Sequence, residues 1–168
     1  MTEPVVNIHS MEGYSRDPEG STRFGATIAM VGQRLELGGL GCNFVTVDPG
    51  KRAFPAHNHL GNDELFVILE GEGTYRFGNA EYKVAAGYCC AAPRGGPEKA
   101  HQLINTGTSP LKYLAISTKQ DPDVIEYPDS GKFAAVAVSP GANFMSAHLK
   151  FVGRKDSAVD YFDGEQMT

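Results

Sequence analysis

Residues 50–64 read Gly50-Lys51-Arg52-Ala53-Phe54-Pro55-Ala56-His57-Asn58-His59-Leu60-Gly61-Asn62-Asp63-Glu64. Residues two apart on an extended strand share a face, so His57 and His59 are predicted to point the same way. Leu60-Gly61-Asn62-Asp63 is a turn signal, and Glu64 follows it directly. A third histidine, His101, falls on a separate predicted strand. Three imidazoles and one carboxylate suit a divalent first-row transition metal. Four protein donors on a metal that prefers five or six leave positions open for water or a chelating substrate. Zinc, manganese, iron, nickel and copper all accept such a set, so the ligands do not name the metal. A lone histidine is more often a packing or surface residue, and His9 and His148, which lie outside this pattern, are read that way.

Strand signals surround the histidines. Gly41–Val47 alternates and is closed by Asp48-Pro49-Gly50, and Phe54–His59 is a short extended piece. Glu64–Glu70 is apolar on both parities, which predicts a strand buried on both faces. Gly78-Asn79 is predicted to join Thr74–Phe77 to Glu81–Val84 as a hairpin. Tyr88–Ala92 is the next strand, and His101–Asn105 is expected to pair with Lys112–Ser117. Short strands about ten residues apart, with turns between them, predict an all-β sandwich or barrel. Tyr75, Phe77, Tyr113 and Phe66 are candidate interior residues. Outside this region, strands are expected at Val5–Ile8, at Arg34–Leu37 and, as an edge strand, at Phe133–Val138. Gln120–Lys132, with Pro122, Pro128 and Gly131, reads as loop. Tyr161 and Phe162 are expected to anchor the C-terminal tail onto the barrel or a neighbouring subunit.

Composition bounds the remaining classes. The chain has 168 residues, 41% of them hydrophobic, and a formal net charge of -5. That length suits one domain with one core, and the acidic balance argues against nucleic acid or an anionic membrane as main partner. Cys42, Cys89 and Cys90 give no disulfide framework, and adjacent strand residues face opposite sides, so Cys89 and Cys90 cannot share a metal. Reduced thiols, no basic-then-apolar leader and no long apolar run together give the expectation of a cytoplasmic protein.

Written as spacings, the first segment runs Gly50, six residues, His57, one residue, His59, four residues, Glu64, six residues, Gly71. The second runs Gly87, five residues, Pro93, one residue, Gly95, five residues, His101, three residues, Asn105. These resemble the two motifs of the cupin superfamily, over roughly residues 40–118. The gap before His57 is one residue longer than the commonest form, and the gap before His101 about three longer. The resemblance implies a double-stranded β-helix, or jelly-roll barrel, with an N-terminal arm (1–25) and a C-terminal extension (119–168) on a single domain. It further implies that His57, His59, Glu64 and His101 hold one divalent metal, as in the small single-domain bacterial cupins. Asn105 is read as a turn residue.

Arg94 and Lys99, in the lengthened loop before His101, are candidate contacts to an anionic substrate group. The expected function is action on, or binding of, a small oxygen-rich and anionic molecule, in the manner of a sugar or sugar-phosphate isomerase or epimerase. The alternatives are a non-haem metal dioxygenase and a non-catalytic ligand-binding or sensing module, because fold does not give function. No residue is nominated as general base. A homodimer is expected, since jelly rolls commonly cover exposed sheet edges by pairing.

Overall fold

Alternation along two central strands sets the wall of a barrel. In Leu111–Thr118 the side chains of Leu111 and Tyr113 are fully buried in the interior, while Leu114 packs on the outer side. In Leu40–Val47, Val45 and Val47 point inward and Phe44 outward. The computed structural model describes residues 3–139 and 146–166. In chain order its strands are β1 (Tyr14–Ser15), β2 (Thr27–Ala29), β3 (Leu40–Val47), β4 (Asn58–His59), β5 (Glu64–Glu70), β6 (Glu72–Phe77), β7 (Ala80–Ala85), β8 (Cys89–Ala92), β9 (His101–Ile104), β10 (Leu111–Thr118), β11 (Asp123–Tyr127), β12 (Lys132–Ala137) and β13 (Leu149–Arg154), with one short helix, α1 (Val31–Arg34).

One wall is a six-stranded sheet in the order β1-β2-β3-β10-β5-β8. The facing wall is made of two smaller sheets, β7-β6-β9 and β13-β12-β11-β4. An isolated antiparallel bridge between His57 and His101 links them, with His57 N donating to His101 O at 3.2 Å and His101 N donating to His57 O at 2.8 Å. All described strand pairs are antiparallel. Two antiparallel walls make a jelly roll, the double-stranded β-helix, with a central cluster and a separate one of Ile125, Ala134 and Val136 in the β13-β12-β11-β4 sheet.

The core between the walls includes Ile28, Val45, Val47, Phe66, Ile68, Tyr75, Leu103, Leu111 and Tyr113. Each fully buried aliphatic or aromatic side chain of this kind contributes roughly 1.5–3 kcal/mol. Apolar residues on both parities of β5 have separate destinations. Phe66 and Ile68 enter the core, and Leu69 lies outside it against Val6, Ile8 and Met11 of the N-terminal arm. Glu64 shares the parity of Phe66 and Ile68, so a strand that fills the barrel also aims a carboxylate into it. At the β5–β6 turn Gly71 has φ +79°, and a Cβ there would collide with the Pro110 carbonyl oxygen. Asn105 is fully buried and ties three backbone groups together: its Nδ2 donates to Val47 O (2.7 Å) and Ser109 O (2.9 Å), and its Oδ1 accepts from Gly107 N (3.0 Å).

Several expectations are corrected. Arg34–Leu37 is not a strand; the chain makes helix α1 at Val31–Arg34, whose Val31 and following Leu35 pack under the arm. Val5–Ile8 is not a strand either. Asn7 Oδ1 accepts from His9 N at 3.0 Å and starts a single 3-10 turn at Ile8–Ser10, a local side-chain bond that competes with strand pairing. His101–Asn105 and Lys112–Ser117 do not form a hairpin. β9 pairs with β6 and β10 with β3 and β5, so the connection crosses from one wall to the other. Gln120–Lys132 contains strand β11, and β12 is no edge, since β13 pairs along its far side. Tyr161 and Phe162 pack on each other, with ring centroids 4.9 Å apart, and stay exposed rather than anchoring on the barrel. Residues 140–145 of the C-terminal extension lie outside the described residues. No helix among the described residues is long and apolar enough to cross a membrane.

Candidate metal centre

Glu64 Oε2 is the meeting point of three histidines. It lies 2.9 Å from His101 Nε2 and 3.5 Å from each of His57 Nε2 and His59 Nε2. Donor atoms of His57, His59 and Glu64 all lie within 4.8 Å of one another, close enough to hold a metal ion. Each side chain arrives by strand parity. His57 and His59 flank Asn58, which turns away and is buried, with Nδ2 donating to Gly95 O at 2.7 Å and to Glu126 Oε2 at 3.0 Å. Glu64 points inward at the start of β5 and His101 at the start of β9, directly opposite Phe77 of β6. The structure therefore brings together the four residues singled out from the motif spacings.

The outer nitrogen of each ring faces an acceptor. His57 Nδ1 is 2.8 Å from Pro55 O, His59 Nδ1 is 2.6 Å from Asp123 Oδ2, and His101 Nδ1 is 3.2 Å from Lys99 O. Carbonyl oxygens and an ionised carboxylate only accept, so in each ring the Nδ1 proton is committed and the Nε2 lone pair faces inward. With all three rings neutral in that tautomer, three lone pairs and a carboxylate oxygen would converge with no proton to share, so the 2.9 Å hydrogen bond between His101 Nε2 and Glu64 Oε2 needs a proton on that nitrogen as well. Such a group is stable only with positive charge among its members, as protons on the imidazoles or as a cation. The donor set fits a divalent transition metal on that chemistry.

The electrostatics agree in direction. Burial pushes the Glu64 carboxyl up, but the hydrogen bond with His101, then that with His57, and the neighbouring imidazole charges outweigh it and hold the group well below the usual carboxylate range. For His59, burial opposes the charged form, while the Asp123 hydrogen bond and the Glu64 and Asp123 charges raise its pKa overall. For His101 burial dominates and the pKa falls. Asp123 is itself opposed by burial yet held low by its bond to His59.

Apolar and aromatic groups close the site. Phe54, Pro55, Phe66, Leu103 and Tyr113 line a narrow cleft beside His57 and His101. Phe66 lies 5.4 Å from the His101 ring, and Phe54 and Tyr127 lie 6.3 and 6.2 Å from the His57 ring. All four residues proposed for the interior are there: Phe66, Tyr75 and Tyr113 are buried and Phe77 packs against them.

Arg94 and Lys99 fall outside this convergence. Arg94 is exposed, and its backbone N–H donates to Asp63 Oδ1 at 2.9 Å. The Lys99 ammonium lies over the Phe77 ring, 5.8 Å from its centroid, and it is the backbone oxygen of this residue that meets His101. Asp123 and Tyr127 escaped the reading of the sequence because Pro122, Pro128 and Gly131 mask their strand. The signal that could have found them is the alternation Asp123, Ile125, Tyr127 between those breakers.

Residues 43–117 match the family described as the cupin domain. Among curated proteins, the chain is 31% identical over 74 residues to an uncharacterized protein of Methanocaldococcus jannaschii, covering 42% of this chain and 57% of that one. It is 33% identical over 60 residues to an oxalate-binding protein of Thermotoga maritima, covering 36% of this chain and 47% of that one. The chain spans about half the length of these curated relatives. Among solved structures, a sugar phosphate isomerase of Silicibacter pomeroyi superposes with a TM-score of 0.75 at 23% identity, over 95% of this chain and 98% of that one.

Proposed function

We propose that this chain, whose residues 43–117 match the cupin domain family, uses one divalent transition metal to bind and transform a small, oxygen-rich, anionic molecule, as a sugar or sugar-phosphate isomerase or epimerase does. The observation that supports this reading is the convergence of His57, His59 and His101 Nε2 on Glu64 Oε2 with every Nδ1 already committed. His57, His59, Glu64 and His101 would hold the metal, whose chemistry is that of a Lewis acid polarising a carbonyl or hydroxyl oxygen. The chain's own groups do the rest. Pro55 O, Asp123 and Lys99 O fix the ring tautomers and orientations. Glu64 offsets part of the metal charge, and Phe54, Phe66 and Tyr113 keep water from the inner side.

The structural likeness to a sugar phosphate isomerase supports this class through the fold alone. The oxalate-binding relative supports a second reading, a protein that holds a small oxyanion on its metal without turnover. Elemental analysis of protein purified without added metal, paired with mass spectrometry of any co-purified small molecule, tests both. A stoichiometric metal that disappears in His59→Ala and His101→Ala is expected, and unchanged metal content in both variants would sink the proposal. Turnover of a bound sugar favours the first reading; tight binding with the ligand recovered intact favours the second.

The expected homodimer is part of this proposal. Strand β13 leaves one sheet edge open, and its Leu149, Phe151 and Val152 are exposed. Light scattering at micromolar concentration should give twice the chain mass; a monomer mass overturns it.

A further inference from the structure

Two aromatic rings lie beside His57, and each carries a cation. The Arg16 guanidinium lies over Phe54, 5.3 Å from the ring centroid, and the Lys132 ammonium lies over Tyr127 at 5.6 Å. Phe54 and Tyr127 are the two rings at 6.3 and 6.2 Å from His57. The cations come from opposite ends of the chain. Arg16 belongs to the N-terminal arm, held by its backbone N–H to Ala26 O at 2.8 Å, and Lys132 stands directly opposite Tyr127 in the β11–β12 pair. Among the described residues neither has a carboxylate within 4.0 Å.

The nearby acids are already engaged. Asp123 is bonded to His59, and Glu126 to Asn58 and, at 3.6 Å, to Lys155. A cation over an aromatic face gains modestly from the ring and keeps its donors free for an anion. Lys99 lies over a different ring, Phe77.

We propose that Arg16 and Lys132, over the two rings beside His57, form an anion clamp for the candidate metal centre, which selects small molecules that chelate the metal at one end and carry a phosphate or carboxylate a few carbons away. This rests on the proposed metal-dependent function and narrows its substrate class. It predicts that the arm, rather than the loop before His101, sets preference among anionic ligands.

The test is calorimetric titration of the manganese-loaded full chain with two matched pairs, ribose 5-phosphate against ribose and 2-oxoglutarate against pyruvate. Each pair differs by one remote anionic group. Arg16→Gln and Lys132→Gln should each weaken the remote-anion member of at least one pair by about tenfold, the low end for a charge-assisted hydrogen bond. Ribose and pyruvate should bind as they do to the parent, and the pair that responds identifies the anion as phosphate or carboxylate. Metal content, read by elemental analysis, should be unchanged in both variants. Parent-like binding of all four probes by both variants overturns the clamp, as does failure of the loaded parent to bind any of them. Failure of the metal reading looks different: His59→Ala would retain its metal, while any dependence of remote-anion binding on Arg16 and Lys132 would persist.

Discussion

Residues 40–118 and residues 119–139 meet at the candidate metal centre but contribute to it differently. The first region supplies the donor atoms. β5 is paired on both sides, by β10 and β8, and β9 is bonded to β6 along one side and to the His57 bridge on the other. The second region supplies groups that touch the histidines from outside: Asp123 on His59 and Tyr127 beside His57, both from β11, which meets β4 over only two residue pairs. The comparison teaches a division of labour. Glu64 and His101 sit in strands bonded on both sides, whereas His59 sits in the two-residue β4, in the same sheet as β11, whose Asp123 orients it.

That contrast can be broken in four places. The largest effect should come from the constrained region. Tyr113→Ala empties a fully buried position in the strand that pairs with both β3 and β5, and should cost about 3–5 kcal/mol of stability, as large-to-small core changes do. Urea unfolding measures it, and the fraction still folded should bind metal with the parent stoichiometry. A loss under about 1 kcal/mol would mean the two walls do not share this core.

Next comes the removal of one donor. Glu64→Ala takes away the atom on which all three imidazoles converge. Metal affinity should fall by more than the roughly 100-fold at the upper end for loss of an orienting partner, since a ligand itself is gone. Competition with a chromophoric chelator reads the change.

Asp123→Ala should be smaller, about 10–100-fold in metal affinity, because it removes an orienting partner rather than a donor. Circular dichroism should show the sheet intact. An effect equal to that of Glu64→Ala would erase the distinction between the two regions.

The smallest expected effect joins the regions on the outside, where Arg76 of β6 holds Asp129 of the β11–β12 turn through two bonds of 2.6 and 2.8 Å. These hydrogen bonds hold the Asp129 carboxyl below its ordinary range, against a small opposing effect of burial. A depressed carboxylate adds stability above its unfolded pKa and loses it as the pH falls through the folded one. The pair is half in solvent, so Arg76→Ala should cost only about 0.2–1 kcal/mol at pH 7. The difference from the parent should shrink in acid, below the carboxylate range, and metal content should not change. Denaturant midpoints at pH 7 and in acid measure this.

The legible parts of the molecule are the local ones. Gly78-Asn79 sits between Phe77 and Ala80, which are paired, so the two-residue hairpin follows from its turn residues. Glu64–Glu70 is a strand at its expected bounds because its apolar run serves two clusters at once. Asn7 misled the reading of the arm, since one side-chain bond turned an apolar alternation into a 3-10 turn. Prolines and a glycine around β11 concealed a strand that pairs with β4 and, across the turn at 128–131, with β12.

The sequence by itself determined the all-β class, turns such as Gly78-Asn79, and that His57 and His59 share a face of their strand, because strand periodicity and turn chemistry act over a few residues. It also determined the chemical character of the donor set, since residue type carries that directly. Only the tertiary structure decided that Asp123, 64 residues from His59, would fix its proton, and that Arg16 and Lys132 would lie over Phe54 and Tyr127, the two rings beside His57. These are consequences of which strands cross between the walls and which segment covers them. Strand pairing across the whole fold sets such contacts, and no spacing along the chain encodes them.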